Sequence, residues 1–274
     1  MNFFQKLFGK SNSPNVQTRQ PEREHEEPTS DVKILVERAK NKIKKNDLSG
    51  AAADIETILK IDPNSIDGYM VRSDLKKKQR DEIGAKEDFE HAGVLLKRLD
   101  KGLKFHEKGL EKFNESDYRA AIKHFTDAIS FNVETGQTYH LRGLSKKYTG
   151  DYGGALKDFN KVIDWRPNYE EISDVYYERA KIKYHKLEDN EGALKDYNHA
   201  IKLQPTNASI YFSRAILKKE MDDTDGAFED YKKSIELNPS DAETFLSRAL
   251  VYMSLENYSE AITDLDTVIE LGLS

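Results

Sequence analysis

The sequence predicts an all-α solenoid of antiparallel helix pairs, and three regularities in it lead there. Seven alanines, Ala51, Ala85, Ala121, Ala155, Ala193, Ala227 and Ala261, recur at 34 residues in four of their six steps. An apolar or aromatic residue follows each alanine four positions later: Ile55, Phe89, Phe125, Phe159, Tyr197, Tyr231 and Leu265. Prolines Pro63, Pro167, Pro205 and Pro239 then close four of the segments. A fixed period of this length marks a stack of supersecondary units.

Each alanine opens a helical pattern. Three positions beyond the aromatic stands Ile58, Ala92, Ala128, Val162, Ala200, Ser234 or Val268, so the i, i+4, i+7 spacing puts all three on one face. Proline cannot continue a helix and restricts the residue before it, so these helices stop there. A second helical pattern lies just upstream, with a large residue followed four positions on by a small one. The pairs are Leu35 with Ala39, Tyr69 with Ser73, Phe105 with Gly109, Tyr139 with Gly143, Tyr176 with Ala180, Tyr211 with Ala215, and Phe245 with Ala249. The small residue lets two helices approach, and the large one fills the space beside it. Short polar turns such as Thr149-Gly150-Asp151 and Glu256-Asn257 join the two patterns. Seven helix-turn-helix units follow, over 32–65, 66–99, 102–135, 136–169, 173–207, 208–241 and 242–274.

These residues resemble the tetratricopeptide repeat family: a 34-residue period, an early aromatic, a small residue at the helix crossing, and a late Ala-x-x-x-Phe/Tyr-x-x-Ala before proline. Units four, six and seven match well, for example through Tyr139, Gly143, Ala155, Phe159 and Pro167. The first two units diverge, with Lys42 and Lys76 at positions where the family often has an aromatic or apolar residue, and Lys97 where unit two should close on proline. The resemblance implies a right-handed superhelix of roughly one turn with the first helices lining a narrow concave groove.

Two steps break the period. Unit five carries Glu170-Glu171-Ile172 ahead of it and one more residue in its internal turn, harmless loop growth. The 36-residue step between Ala85 and Ala121 contains the apolar run Val94-Leu95-Leu96, which predicts a longer helix and a junction. The expected domains are therefore a disordered tail over 1–31, two divergent repeats over 32–99 and five repeats over 100–274. The last repeat has no polar capping helix after it, so Ile262, Leu265 and Ile269 are expected to stay partly exposed, and a homodimer through this end is one way to cover them.

Composition narrows the function. The 274 residues hold 43 Lys and Arg against 49 Asp and Glu, a balance that argues against a nucleic-acid partner. Cysteine is absent, which removes disulfides, thiolate nucleophiles and Cys-ligated zinc and suits a reducing, cytoplasmic setting. None of the seven histidines stands in a His-Glu-x-x-His motif, and neither a phosphate-cradling glycine loop nor Gly-x-Ser-x-Gly occurs. No enzyme activity, cofactor or metal is expected. A protein or peptide partner is.

The family places binding residues on the first helix of each repeat, one residue after the early aromatic and four further on. Here these positions are His140 and Leu144, Tyr177 and Lys181, Phe212 and Ile216, and Leu246 and Leu250, with Met253 further along the last helix. Aromatic and Met side chains suit an apolar or amphipathic segment. The family's Lys/Asn clamp for a chaperone carboxylate is not matched, since these positions carry His106 and Leu110 in unit three and His140 and Leu144 in unit four. Residues 208–274 hold 6 basic and 14 acidic residues, which suits a partner with a basic flank. Arg142, Arg179, Arg214 and Arg248 recur in step with Asp158, Asp196, Asp230 and Asp264, a structural series rather than a phosphate site. At the start of the chain, Phe3, Phe4, Leu7 and Phe8 share one face of a short amphipathic peptide. It packs loosely on the solenoid, docks to a protein, or touches a membrane surface.

Overall fold

The structure, a computed structural model, describes residues 28–165 and 168–272. It is all helix and turn, and the helices pair as the period predicts. Unit one is α1 (Pro28–Lys44) with α2 (Leu48–Ile61), and unit two is α3 (Ile66–Lys78) with the first half of α4 (Glu82–Asn114). The second half of α4 pairs with α5 (Tyr118–Ser130). Then come α6 (Gly136–Tyr148) with α7 (Tyr152–Trp165), α8 (Ile172–Leu187) with α9 (Asn190–Leu203), α10 (Ala208–Glu220) with α11 (Thr224–Leu237), and α12 (Ala242–Ser254) with α13 (Tyr258–Glu270). Each helix packs on its sequence neighbours, which is the contact pattern of a right-handed helical solenoid.

Two boundaries differ from those expected. Helix α1 starts at Pro28, so residues 28–31 of the expected tail are helical. Proline at the first helical position lacks only an N–H that would have no partner there. The 99/100 division falls inside α4, a continuous helix of 33 residues. The turn that elsewhere separates one repeat from the next is absent at this step. The segment Leu95-Leu96-Lys97-Arg98-Leu99 contains only good helix formers. The expected single groove of seven stacked repeats is thus interrupted between units two and three. The other expected tail features, Phe3, Phe4, Leu7 and Phe8, and the closing Pro167, lie outside the described residues.

The seven alanines line the bottom of the core and are at most 2% exposed. Gly109 and Gly143 sit where the first helix crosses the aromatic of the second. A Cβ at either would lie 2.6 Å from the ring of Phe125 or Phe159, so only glycine fits. The early aromatics also hold the proline turns. Tyr69 and Tyr211 donate their hydroxyls to the carbonyls of Pro63 and Pro205, at 3.3 and 3.2 Å.

The turn inside each repeat has a common construction. One residue adopts a left-handed backbone (Asn46, Arg80, Ser116, Gly150, Glu188, Asp222, Glu256) and Asp or Asn follows it. At Asp47, Asp81, Asp117, Asp151, Asp189 and Asp223 the carboxylate accepts the N–H three residues on, at 2.9–3.1 Å. That N-cap satisfies a donor the helix cannot. Asp223→Ala is expected to cost about 1 kcal/mol and Asp223→Asn much less, read from urea melts followed by circular dichroism.

The Arg and Asp series meet as the sequence suggested. Arg142, Arg179, Arg214 and Arg248 each donate two hydrogen bonds, at 2.6–2.8 Å, to the Asp of their own repeat's second helix. The pattern extends to units one and two, through Arg38 with Asp54 and Arg72 with Asp88, which the sequence reading did not single out. The constant offset of 16 residues between partners, 17 in unit five, was the available signal. At Asp88, burial works against the charge, but hydrogen bonds from Arg72 and Lys76 outweigh it and hold the carboxyl below its ordinary range.

Candidate functional site

The first helices, α6, α8, α10 and α12, carry the predicted contact positions, and these positions fall into two groups. In units four to six the side chains are largely used by the solenoid itself. His140 is only 4% exposed, and its ring lies edge-on to Phe159 and Tyr169. Its Nδ1 is 3.2 Å from a Glu171 carboxylate oxygen and 3.3 Å from the Tyr169 hydroxyl. Burial pushes the imidazole below its ordinary pKa, against the pull of Glu171, so the ring is neutral at pH 7. It therefore braces the insertion Glu170-Glu171-Ile172 against unit four, and that insertion is more than loop growth. Leu144 packs half-buried against the same cluster.

Tyr177 packs half-buried against the core of unit five and places its hydroxyl 3.2 Å from Ser213 of the next repeat. Lys181 lies over the Tyr177 ring, with its ammonium 3.5 Å from Glu178. Glu178 also accepts from Lys147 of unit four. Phe212 and Ile216 pack against the core of unit six. Ordinary repeat packing consumes these side chains because a first-helix residue faces both the groove and the adjoining repeat.

The last repeat is different. Leu246, Leu250 and Met253 are 37%, 57% and 46% exposed. Their i, i+4, i+7 spacing places them on one face of α12. Together they form a contiguous apolar stripe on the first-helix side of the solenoid. The last two units hold 6 basic and 14 acidic residues. The predicted residues are thus divided: three outward anchors on α12, and six that the repeats themselves engage.

A cavity of about 380 Å³ lies between the start of α8 and the end of α9, lined by Glu170, Glu171, Ser173, Asp174, Leu203 and Gln204 among others. Burial raises the Asp174 carboxyl above its ordinary pKa. Among the described residues, no group of three or more His, Asp or Glu side chains is placed to hold a metal ion. None of the described helices is long and apolar enough to cross a membrane.

A stack of paired helices with an uncovered apolar stripe on its last first helix is the architecture of a protein-interaction scaffold. The tetratricopeptide repeat pattern matches residues 136–169, 208–241 and 242–271, and a second pattern of the same repeat matches 182–222. The chain carries tetratricopeptide repeats. No curated protein matches it by sequence. Among solved structures it is similar to MamA, at 20% identity and a TM-score of 0.55 over 60% of this chain and 93% of that one. A MamA fragment from Desulfovibrio magneticus RS-1 aligns at 17% identity and a TM-score of 0.58 over 63% of this chain and 95% of that one. YrrB, described as a TPR protein with an unusual peptide-binding site, aligns at 18% identity and a TM-score of 0.54 over 65% and 92%. At these identities the likeness is one of fold.

Proposed function

We propose that the protein is an adaptor that holds an apolar or amphipathic segment of a partner protein on its first-helix wall, anchored in the last repeat. The observation that carries this is the outward stripe of Leu246, Leu250 and Met253 beside six equivalent side chains that the fold engages. Such side chains gain roughly 1.5–3 kcal/mol each when fully covered, so three anchors supply part of the binding energy and the flanks of the segment must supply the rest after association costs. The acidic balance of units six and seven favours a basic flank on the segment. The peptide-binding site named for YrrB supports a peptide as the form of the ligand. The lack of cysteine supports a cytoplasmic setting.

The test uses amphipathic peptides selected from a displayed library on the intact protein. Leu246→Ala, Leu250→Ala and Met253→Ala combined are expected to weaken the selected peptides about 100-fold. Helicity and melting temperature should hold, since all three side chains already face solvent. Unchanged affinity would move the site elsewhere. A Phe212→Ala variant is a poor probe because that half-buried ring packs against the core of unit six.

A second reading has its own observation. Ile262 and Ile269 on α13 are exposed, with Leu265 half-buried between them. An architectural subunit that self-associates through this face would cover them. Ile262→Glu would then change the particle mass and leave peptide affinity alone. The peptide of Phe3, Phe4, Leu7 and Phe8 is proposed as a further docking element, for a protein or a membrane surface. Vesicle co-sedimentation unaltered by removal of residues 1–10 would eliminate the lipid alternative.

A further inference from the structure

Helix α4 joins two repeats that have separate neighbours. Its first half meets α3, through Arg72 with Asp88 and Ser73 with the Ala85 carbonyl. Its second half meets α5, where Gly109 lies under the Phe125 ring and Gly102 beside Val133. Between them Leu95 is buried and Arg98 donates to the Ser130 carbonyl at 2.8 Å, while the opposite side of the helix, with Leu96, is exposed.

The consequence shows at Phe89. This residue holds the position of Ile55, Phe125, Phe159, Tyr197 and Tyr231, which are 0–2% exposed, yet Phe89 is 54% exposed. Its equivalents are covered by the next repeat. Phe159 shares a cluster with Val175 and Ile182, Tyr197 with Ile210 and Leu217, and Tyr231 with Val251. Counted from the crossing residue Gly109, the matching positions in unit three are Lys104 and Glu111. Breaking α4 in its middle to stack unit three on unit two would bury a lysine and a glutamate against Phe89. The chain's own third repeat is therefore not built to be the cover.

The uncovered surface is a stripe along α4. Phe89, Leu96 and Leu103 recur every seven residues and are 54%, 56% and 45% exposed, with Leu99 half-buried between the last two. A seven-residue apolar repeat is the seam of a paired helix. The stripe is symmetric about Leu96, so it complements itself when a second helix runs the opposite way. Gly93 beside it has no atom within 4 Å of a would-be Cβ, an open notch for a Leu99 from the other helix. The flank carries Lys86 at one end and Glu107 at the other, both exposed. An antiparallel partner sets Lys86 near Glu107 at both ends; a parallel one would set like charges together.

We infer that α4 is a dimerisation helix, pairing antiparallel with α4 of a second copy of this chain across the Phe89–Leu96–Leu103 stripe. This surface is distinct from both the α12 stripe and the α13 face.

Light scattering on the full chain at about 100 µM, where a dimer of micromolar Kd is nearly complete, is expected to give twice the chain mass. Leu96→Glu, which places two carboxylates at the symmetry axis, should return the protein to a monomer with unchanged helicity. The absence of native cysteine allows a second, covalent measurement. Residues 89 and 103 lie about 21 Å apart along one straight helix, far beyond disulfide reach within a chain. Phe89→Cys combined with Leu103→Cys should therefore form covalent dimers on oxidation, and either substitution alone far fewer. A wild-type monomer at this concentration overturns the proposal. So does a dimer that survives Leu96→Glu but dissociates with Ile262→Glu, which places the contact on α13. Failure of the double cysteine variant to cross-link overturns the antiparallel register.

Discussion

Phe159→Ala is expected to lower the free energy of unfolding by about 3–5 kcal/mol, while Phe89→Ala, at the equivalent position two repeats earlier, costs less than about 1. The contrast rests on burial alone, because the two residues share chemistry and helix position. Phe159 is fully enclosed. Its ring faces Gly143 from below, lies edge-on to His140 at 6.1 Å between centroids, and shares a cluster with Val175 and Ile182 of the next repeat. Removing it leaves a cavity at a crossing where two repeats meet, and the surrounding helices are too well fixed by their own pairs to close it. Phe89 has solvent on its outer face, so truncation forfeits fewer contacts and opens no void. Urea unfolding followed by circular dichroism measures both. A Phe159→Ala variant in which units four and five melt before the remainder would show as a lowered slope, since neighbouring repeats hold one another. Equal costs at the two positions would mean that Phe89 is covered in solution. At dimer concentrations the α4 pairing predicts such cover, so the comparison belongs at low protein concentration.

The helices, their pairing and the turns were legible because each leaves a periodic mark. Alanine at the bottom of the core, an aromatic four residues on, and Asp before the second helix recur wherever the geometry recurs. The Arg and Asp series was legible for the same reason, and Arg38 and Arg72 follow the same offset. The fusion of two helices into α4 was only half visible. The apolar run around Leu95 and the missing proline at Lys97 predicted a longer helix, but a local pattern cannot say that a turn vanishes altogether. That outcome is decided by whether the next repeat has an apolar face to fold back with, and unit three offers Lys104 and Glu111. The site was the least legible part. First-helix positions one and five after the aromatic are the same in every unit, yet His140, Tyr177 and Phe212 are drawn into packing while Leu246 and Leu250 are not. The difference comes from neighbours in space: Glu171 and Tyr169 enclose His140 through an insertion that the repeat pattern does not contain.

Arg179→Ala is expected to cost about 3 kcal/mol, and the loss should be smaller when Asp196 is also replaced. Asp196 is almost fully buried and accepts two hydrogen bonds from the Arg179 guanidinium, at 2.8 and 2.6 Å, and one from the Lys183 ammonium at 2.8 Å. Arg179 also donates to Asn160 of the preceding repeat at 2.6 Å and stacks over Tyr176. One side chain thus ties α7, α8 and α9 together. Removing it leaves a carboxylate in the interior with lysine as its remaining cation, and breaking one side of a buried pair costs more than the pair itself contributes. Arg179→Ala with Asp196→Ala removes the stranded charge, so the double variant should lie closer to either single variant than to their sum, with a coupling of about 1–3 kcal/mol. The same cycle on Arg38 and Asp54 should show weaker coupling, because Arg38 is more than half exposed and solvent screens it. Strict additivity at Arg179 and Asp196 would mean that the ladder adds charge to the surface without joining one repeat to the next. The solenoid's stiffness between units four and five would then rest on the Phe159 and Tyr197 cores alone.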